Sequence, residues 1–445
     1  MPTTFDPAAT AWLLASTALV LLMTPGLAIF YGGMVRTTGV LNMLMMSFIS
    51  IPLVTVVWLL LGYTLAFGKD AGGGVIGNLA HFALSGIDPR TSHVGTGVPE
   101  LLYVSFELTF AILTVALVSG AIADRTKFSA WMVFVPVWTL LVFAPVAHWV
   151  WAPDGWLAKF GTLDFAGGLV VEIASGASAL ALALVLGPRL GFKVDAMRPH
   201  NLPFVLLGAG LLWFGWFGFN AGSAFKADWL AAAVFLNTLV AGCLGMLGWL
   251  IVEQLRDGRP TTFGAASGAV AGLVAITPSC GSSNTLGALI VGLVAGVVCS
   301  YAVGWKFKAG YDDSLDVVGV HFTGGIVGTL LIGLLATPVM TNGPRGLFYG
   351  GGLGQLGKQA VGVLVVAAWS FGVSYALAKV ITWVMGFRIS REEEAGGIDF
   401  ALHAETAYAE GVHGHAPRGL FGGQSHGLFG HHTDGPRRSG SADEL

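Results

Sequence analysis

The sequence predicts an all-α polytopic membrane protein. Of its 445 residues, 54% are hydrophobic and only 11% are charged, whereas a soluble globular chain carries about 25% charged residues. Apolar runs of about 20 residues, the length that crosses a bilayer as a helix, follow one another along most of the chain. The 65 glycines suit helices whose backbones approach closely in lipid.

The apolar runs predict about eleven transmembrane helices. The chain before the first run contains no Lys or Arg, so we expect this helix to be retained and not cleaved as a signal peptide. The eighth run is short and glycine-rich, which is typical of a tilted or broken helix. In chain order, we place the helices at residues 8–34, 41–67, 101–123, 128–151, 165–186, 202–220, 229–253, 262–278, 286–305, 317–340 and 362–387.

Loop charges predict the orientation, because Lys and Arg accumulate in short cytoplasmic loops. One set of alternate loops contains Arg36, Arg125, Lys127, Arg189, Lys193, Arg198, Arg256, Arg259, Lys306 and Lys308. The other set is longer in total and contains Lys69, Arg90, Lys159, Lys226, Arg345 and Lys358. We therefore expect a multi-pass protein of the cell (inner) membrane, with its N-terminus outside and its C-terminus in the cytoplasm.

Two acid-bearing stretches indicate an internal repeat. Asp164 precedes Glu172 by eight residues in GTLDFAGGLVVEIASGASAL, and Asp313 precedes His321 by the same interval in DSLDVVGVHFTGGIVG. An odd number of helices fits two inverted five-helix repeats plus one extra helix, a plan that places a substrate site at the repeat interface.

We assign the domain boundaries from this plan and from composition. Residues 1–390 form the transmembrane domain, with repeats at about 8–190 and 200–340 and the extra helix at about 362–387. We interpret 391–412 as a cytoplasmic regulatory segment. Residues 413–445 are rich in Gly, Ser and His, which predicts a disordered tail. Its histidines lack fixed spacing and are a weak metal signal: His413, His415, His426, His431 and His432.

Glu172 and His321 lie deep inside predicted helices and need an explanation. A carboxylate at bilayer depth costs about 2.5 to 3.5 kcal/mol on insertion scales. Such groups either line a polar pathway or pair with each other to fix helix packing. Asp164 stands at the start of an apolar run, where it can cap the helix, contribute to a ligand site, or do both.

Aromatic residues near the same end suggest a cation cage. Most would by default be core or interface-belt residues: Phe110, Trp151, Trp213, Trp216 and Phe219. However, Trp151 ends a helix near Asp164, and Asn220 and Ser223 close another helix on the same side. An aromatic face with a hydroxyl can bind a small cation.

Several other functions find no support. The net charge of −3 gives no basic field for nucleic acid. The two GxGxxG matches, at Gly72–Gly77 and Gly352–Gly357, fall in predicted loops and follow no strand, so neither indicates a nucleotide site. We also find no nucleophile, base and oxyanion arrangement, no metal spacing and no cofactor motif, so we do not expect an enzyme.

Five stretches distributed along the chain form an ordered set of motifs: GLAIFYGGMVR (26–36), DFAGG (164–168), PHNLP (199–203), GWFGFNAGSA (215–224) and DDSLDVVGVH (312–321). In these stretches the chain resembles the Amt/Mep/Rh ammonium transporters, and is most similar to their bacterial Amt branch. The resemblance runs from the first helix to GIDFALHAETAYAE (397–410). It implies an eleven-helix inverted-repeat fold, a homotrimer with one pore per subunit, and often docking of a PII-type nitrogen-signalling protein on the cytoplasmic face.

The resemblance also implies roles for individual residues. Phe110, Trp151 and Ser223 match the family's outer ammonium site, with Asp164 as its support, and Phe110 and Phe219 match a stacked gate. Below the gate the family usually has two histidines. His321 matches the second, whereas Glu172 replaces the first, as in some fungal members.

These residues leave three functional hypotheses. In the first, ammonium loses its proton in the outer cage, ammonia crosses the pore, and the proton moves separately through Glu172 and His321. In the second, ionised Glu172 stabilises an intact cation and the pore excludes potassium less well. In the third, the chain is a sensor that reports ammonium to a cytoplasmic partner. A gas channel of the Rh type fits the Trp151 and Ser223 cage less well.

Overall fold

The computed structural model describes residues 5–93 and 95–408, and these residues form a helical bundle without β-strands. Ten helices are long and apolar enough to span a membrane. An eleventh, α8, has only 15 residues, as its short glycine-rich run predicted. The helices are α1 (Pro7–Met34), α2 (Val40–Phe67), α3 (Glu100–Ile122), α4 (128–151), α5 (Gly168–Leu186), α6 (Leu202–Gly222), α7 (Trp229–Asp257), α8 (Thr262–Ile276), α9 (Thr285–Ala309), α10 (Val318–Leu335) and α11 (Gly354–Met385). A separate short helix, Trp156–Phe160, follows α4.

Two predicted boundaries were wrong. The tenth helix ends at Leu335 and not at residue 340, because the chain becomes extended at Ala336 and starts a separate short helix, Pro338–Thr341. The last helix begins at Gly354, eight residues before its predicted start, so the second GxGxxG match lies partly in a helix and not in a loop. Gly354 and Gly357 have open space where a Cβ would lie, and hydropathy alone does not mark such a polar, glycine-rich first turn.

The bundle has two ends, which we call the N-terminal face and the C-terminal face. The N-terminal face holds residues 5–6, 68–93, 95–99 and 152–167, and backbone hydrogen bonds from Asp6 to Gly97 and from Trp156 to Gly74 join these segments. The C-terminal face holds residues 35–39, 123–127, 187–201 and 386–404. There the N–H of Lys127 donates to the carbonyl of Phe387.

Helices α5 and α10 begin in the same unusual way at opposite faces. Each starts with a π-helical turn, at Gly168–Ile173 and Val318–Phe322, a feature frequent at functional sites. The carboxylate of Asp164 accepts from the N–H groups that open α5, and Asp313 accepts from Val317 and Val318 at the start of α10. The two helices therefore run in opposite directions, as inverted repeats require.

Two glycines let α5 and α10 cross closely. A Cβ on Gly176 would lie 2.5 Å from the backbone nitrogen of Phe322, and one on Gly325 would lie 2.9 Å from the Cβ of Glu172. Each glycine is four residues after the ionisable residue of its own helix, Glu172 or His321. The same spacing in both helices brings the two ionisable side chains to the crossing point.

The C-terminal face contains an ion-pair network that the loop-charge prediction did not foresee. The guanidinium of Arg189 donates to both carboxylate oxygens of Asp312 at 2.9 Å. Arg125 is completely buried and donates to the hydroxyl of Ser314 and to the carbonyl of Asp312. Although burial raises the pKa of Asp312, Arg189 holds it below its usual value. These arginines therefore act in folding, whereas Lys193 and Lys308 remain exposed.

We predict that Gly325→Val destabilises the bundle. The added side chain would overlap Glu172 and Ile173 and push α5 and α10 apart, and overpacking of this kind costs about 1–3 kcal/mol. Thermal unfolding of the purified protein in detergent measures the effect. Gly372→Val is the matched control, because Gly372 in α11 has open space at the Cβ position. Equal unfolding temperatures for the two variants would show that the close crossing does not limit stability.

Candidate functional site

The centre of the candidate site is a contact between the two buried ionisable side chains. Nδ1 of His321 lies 2.7 Å from Oε2 of Glu172. Glu172 is 1% exposed and His321 is 4% exposed. A bond of this length between a carboxyl group and an imidazole places one proton between two atoms that can each bind it. The pair can therefore hold or pass a proton in a region shielded from water.

Two stacked phenylalanines lie nearer the N-terminal face. The rings of Phe110 in α3 and Phe219 in α6 have centroids 4.2 Å apart and planes at 28°. Both residues are fully buried, at 1% and 0% exposure. Phe106 packs on Phe110 at 4.9 Å, and Trp216 packs on Phe219 at 5.7 Å. The stacked pair is thus held on both sides by other rings and leaves little room for a hydrated ion.

Trp151 and Ser223 lie beside this phenylalanine pair. The indole ring of Trp151 meets Phe110 edge-on at 5.9 Å, and its Nε1 donates to the carbonyl of Asp164 at 3.0 Å. Ser223 lies one turn after Phe219, and its hydroxyl donates to the Phe219 carbonyl at 2.8 Å. The only proton of the hydroxyl is used in that bond, so its oxygen can accept from a ligand that carries N–H donors.

Asp164 serves as a helix cap. Its two carboxylate oxygens accept hydrogen bonds from the N–H groups of Gly167, Gly168, Leu169 and Val170, at 2.6–3.2 Å. All the acceptor positions of a carboxylate are then in use. The structure therefore shows the capping alternative, and Asp164 has no oxygen left for a direct bond to a ligand. Its charge still acts on a cation nearby.

The interior is narrow on the C-terminal side of the Glu172–His321 pair. A small cavity there has room for the centre of about one water molecule, about 10 Å³. His321 lines it together with Tyr31, Ser267 and Asp316. A proton that reaches His321 therefore has polar groups and a water-sized space ahead of it towards the C-terminal face.

The sequence analysis singled out Glu172, His321 and the aromatic residues of the candidate site but did not consider every buried acid. It did not single out Glu107, a buried carboxylate in α3 with one oxygen that makes no hydrogen bond. The signal was present, since Glu107 is an acid inside an apolar run, as Glu172 is. Among the described residues, no group of three or more His, Cys, Asp or Glu could hold a metal ion. The tail histidines at 413–432 lie outside those residues.

The fold and the site together define a polytopic membrane transporter with a narrow internal path. A sequence model of the ammonium transporter family matches residues 11–408, and the chain belongs to that family. It is 53% identical over 432 residues to an ammonium transporter of Mycobacterium tuberculosis, covering 91% of this chain and 90% of the relative. The family transports ammonium across membranes and is not a family of enzymes.

Solved structures agree with this assignment. The chain superimposes on Mep2 of Saccharomyces cerevisiae with a TM-score of 0.83 and 34% identity, covering 88% of this chain and 89% of Mep2. It also superimposes on a protein described as a sensor Amt protein, with a TM-score of 0.81 and 28% identity, covering 88% of this chain and 98% of that one. The fold is therefore shared with Mep2 and with a protein described as a sensor.

We predict that Ser223→Ala weakens ammonium binding and leaves the maximal flux nearly unchanged. The change removes one neutral acceptor, which is worth about 1 kcal/mol, or about a fivefold change in affinity. Ammonium titration of currents from proteoliposomes measures both quantities. Ser105→Ala is the matched control, because its hydroxyl donates to a carbonyl one turn earlier in the same way but is exposed. An unchanged half-saturating concentration for Ser223→Ala would exclude this residue from the site.

Proposed function

We propose that this chain transports ammonium by separating the cation into ammonia and a proton. Ammonium binds beside Trp151, Ser223 and Phe110, gives up a proton, and crosses the pore as ammonia. The proton moves through Glu172 and His321. The observation that carries this proposal is the 2.7 Å contact between Glu172 and His321, two buried groups that can share a proton.

The phenylalanine pair supplies the reason for deprotonation. An ammonium ion that entered an apolar passage would lose most of its hydration, and moving a bare charge into such a medium is very costly. Ammonia carries no charge and loses far less. A barrier formed by Phe110 and Phe219, whose ring centroids are 4.2 Å apart, therefore favours the neutral molecule and rejects potassium, which has no proton to give up.

The Glu172–His321 pair supplies the separate route for the proton. The imidazole has two nitrogens, so it can accept a proton on one side and release it on the other. The two groups are in direct contact, so a proton held between them is shared by the pair. Replacing one histidine of the family's usual pair by a glutamate keeps this capacity and changes the charge of the unit by one.

Conduction of the whole cation is the alternative for the same residues. An ionised Glu172 would then stabilise ammonium inside the pore. We favour proton separation because a fixed negative charge in a narrow, dry lumen binds a cation tightly and slows its exit. The contact with His321 also occupies one of the two carboxylate oxygens of Glu172, Oε2, which leaves fewer oxygens for a cation.

A sensor function is the second candidate, and one observation favours it. One of the solved structures that this chain resembles is described as a sensor Amt protein. In a sensor, the same cage would bind ammonium and a cytoplasmic partner would read the bound state. The two functions differ in one property, since a transporter carries net flux and a sensor need not.

Further proposals concern orientation and assembly. We place the N-terminal face outside the cell and the C-terminal face in the cytoplasm, because the exposed cations Lys193 and Arg198 lie in a loop of the C-terminal face and the exposed Lys308 lies at the end of α9, where Gly310 adjoins Lys193. We also propose a homotrimer and a PII-type partner on the C-terminal face. The homotrimer and the PII-type partner are supported by membership of the family. The domain boundaries at residues 390 and 412 and between the two repeats stay predictions.

The experiment is a current measurement on solid-supported membranes that carry wild type or Glu172→Gln. We predict ammonium currents and no potassium current for the wild type. Glu172→Gln retains the size of the side chain and loses its ability to hold a proton, so the ammonium current should fall at least tenfold. Glu172→His restores a group that can bind a proton, and it should recover current with an altered pH dependence.

Glu392→Gln is the control for this series, because Glu392 is exposed at the C-terminal face. Potassium currents similar to the ammonium currents would contradict proton separation and favour whole-cation conduction. Ammonium binding by the wild type without any current or flux would establish the sensor function in place of transport.

A further inference from the structure

Glu107 is a second buried carboxylate near the candidate cage. It lies in α3, is 4% exposed, and its Oε2 makes no hydrogen bond. No Lys, Arg or His within the described parts of the chain forms an ion pair with it. Burying an ionised carboxylate without a positive partner is costly. This side chain therefore has an open acceptor and no countercharge from the protein.

The spacing along α3 places Glu107 between the N-terminal face and the phenylalanine pair. Glu100, Tyr103, Glu107 and Phe110 follow one another at intervals of three, four and three residues. At 100° per residue these four positions fall within about 80° of one another, on one side of the helix. Glu107 is thus about 4.5 Å along the axis from Phe110, one turn nearer the N-terminal face.

Aromatic rings pack against one another between Glu107 and the N-terminal face. Tyr103 stacks on His93 with centroids 3.6 Å apart and lies 5.3 Å from Phe225. Phe106 lies 5.7 Å from Phe225 and 4.9 Å from Phe110. Rings of this kind attract a cation through their faces. A cation that approaches the phenylalanine pair along this side of α3 meets aromatic faces and then the open oxygen of Glu107.

Glu107 can offer what Asp164 cannot. Both oxygens of Asp164 accept from backbone N–H groups of α5, so this residue contributes charge but no free acceptor. Ammonium carries four N–H donors and a positive charge, and it needs both acceptors and a countercharge after it loses water. In Glu107 a single side chain has a free acceptor and a carboxyl group that is negatively charged once it has lost its proton.

We propose that Glu107 binds the ammonium ion directly, as a second acidic group of the entry to the pore, one turn before Phe110. The site takes small monovalent cations with N–H donors, such as ammonium and methylammonium. The inference rests on the proposed function, since it adds a residue to the same entry. Glu107 sets how tightly the cation is held, whereas Glu172 and His321 handle the proton that the cation releases.

The test separates charge from packing. Glu107→Gln keeps the size and the hydrogen-bonding ability of the side chain and removes its charge. We expect the ammonium concentration that gives half-maximal current to rise about tenfold, the size of effect expected for one nearby charge, with the maximal current retained. Calorimetric titration of the purified protein with methylammonium should show the same loss of affinity without depending on transport.

Two further variants complete the design. Glu107→Asp keeps the charge, so it should lie closer to wild type than Glu107→Gln in affinity. Asp154→Asn removes one exposed negative charge from the same face, and it should leave the affinity unchanged. Glu107→Gln removes an unpaired buried charge, so it should unfold at the wild-type temperature or above it. If Glu107→Gln does not fold, Glu107→Asp is compared with the wild type instead. A loss of ammonium affinity in Glu107→Asp that is measurable but smaller than tenfold would then support the proposal.

The outcomes distinguish this inference from the proposed function. Wild-type affinity in Glu107→Gln, or in Glu107→Asp where only that variant folds, would overturn the inference and assign Glu107 to packing, while transport by the wild type would stand. A wild type that binds methylammonium but carries no current would overturn transport, and the calorimetric comparison would still decide the role of Glu107. Absence of any ammonium or methylammonium binding by the wild type would overturn both.

Discussion

The contact between Glu172 and His321 is the constraint on which the central part of this structure depends. Bringing these two side chains within 2.7 Å in an apolar interior requires α5 and α10 to cross closely. Glycines at 176 and 325 provide the necessary space at the crossing. Asp164 and Asp313 satisfy the N–H groups exposed where each helix starts. Each of the two inverted repeats therefore contributes one residue of the polar pair, from an equivalent position in its helix.

Different residues around the Glu172–His321 pair have different contacts. The stacked phenylalanine pair lies on one side of Glu172 and His321, and the cavity beyond His321 holds space for about one water molecule on the other. Asp164 is committed to the backbone of α5, whereas Glu107 keeps an open acceptor. In the proposed function, the charge that attracts the cation lies before the phenylalanine pair, and the groups that hold a proton lie after it. This order suits a pore that passes the neutral molecule.

Much of the fold could be predicted from the sequence, because a bilayer imposes a simple length and hydropathy on each crossing helix. The eleven helices, including the short α8, follow from that rule. The helix boundaries at Leu335 and Gly354 could not be predicted in this way, because hydropathy is insensitive to glycine-rich turns and to short polar starts of helices. Proximity of Glu172 to His321 could be inferred from their equivalent spacing after an aspartate. The roles of the cage residues were inferred from the resemblance to a family. Their spatial arrangement could not be predicted from the sequence and is seen only in the structure.

The buried arginines and Glu107 show where sequence reasoning stops. Arg125 and Arg189 look like ordinary loop cations, and only the folded chain brings them to Asp312. Glu107 looks like one acid in a helix, and only the structure shows that one of its oxygens has no partner. In both cases the information lies in which residues far apart in the chain come into contact, and in which polar atoms are left without a partner. A linear pattern cannot reveal such contacts when the residues carry no shared motif.

The most direct test of the central claim is a comparison of ammonium-driven currents in H2O and in D2O, on the same membrane and with the wild-type protein. Proton transfer through Glu172 and His321 breaks and forms bonds to hydrogen, so the account predicts a clearly smaller current in D2O. Migration of an intact ammonium ion breaks no such bond. A current reduced only in proportion to the higher viscosity of D2O would contradict the account and establish that the cation crosses whole.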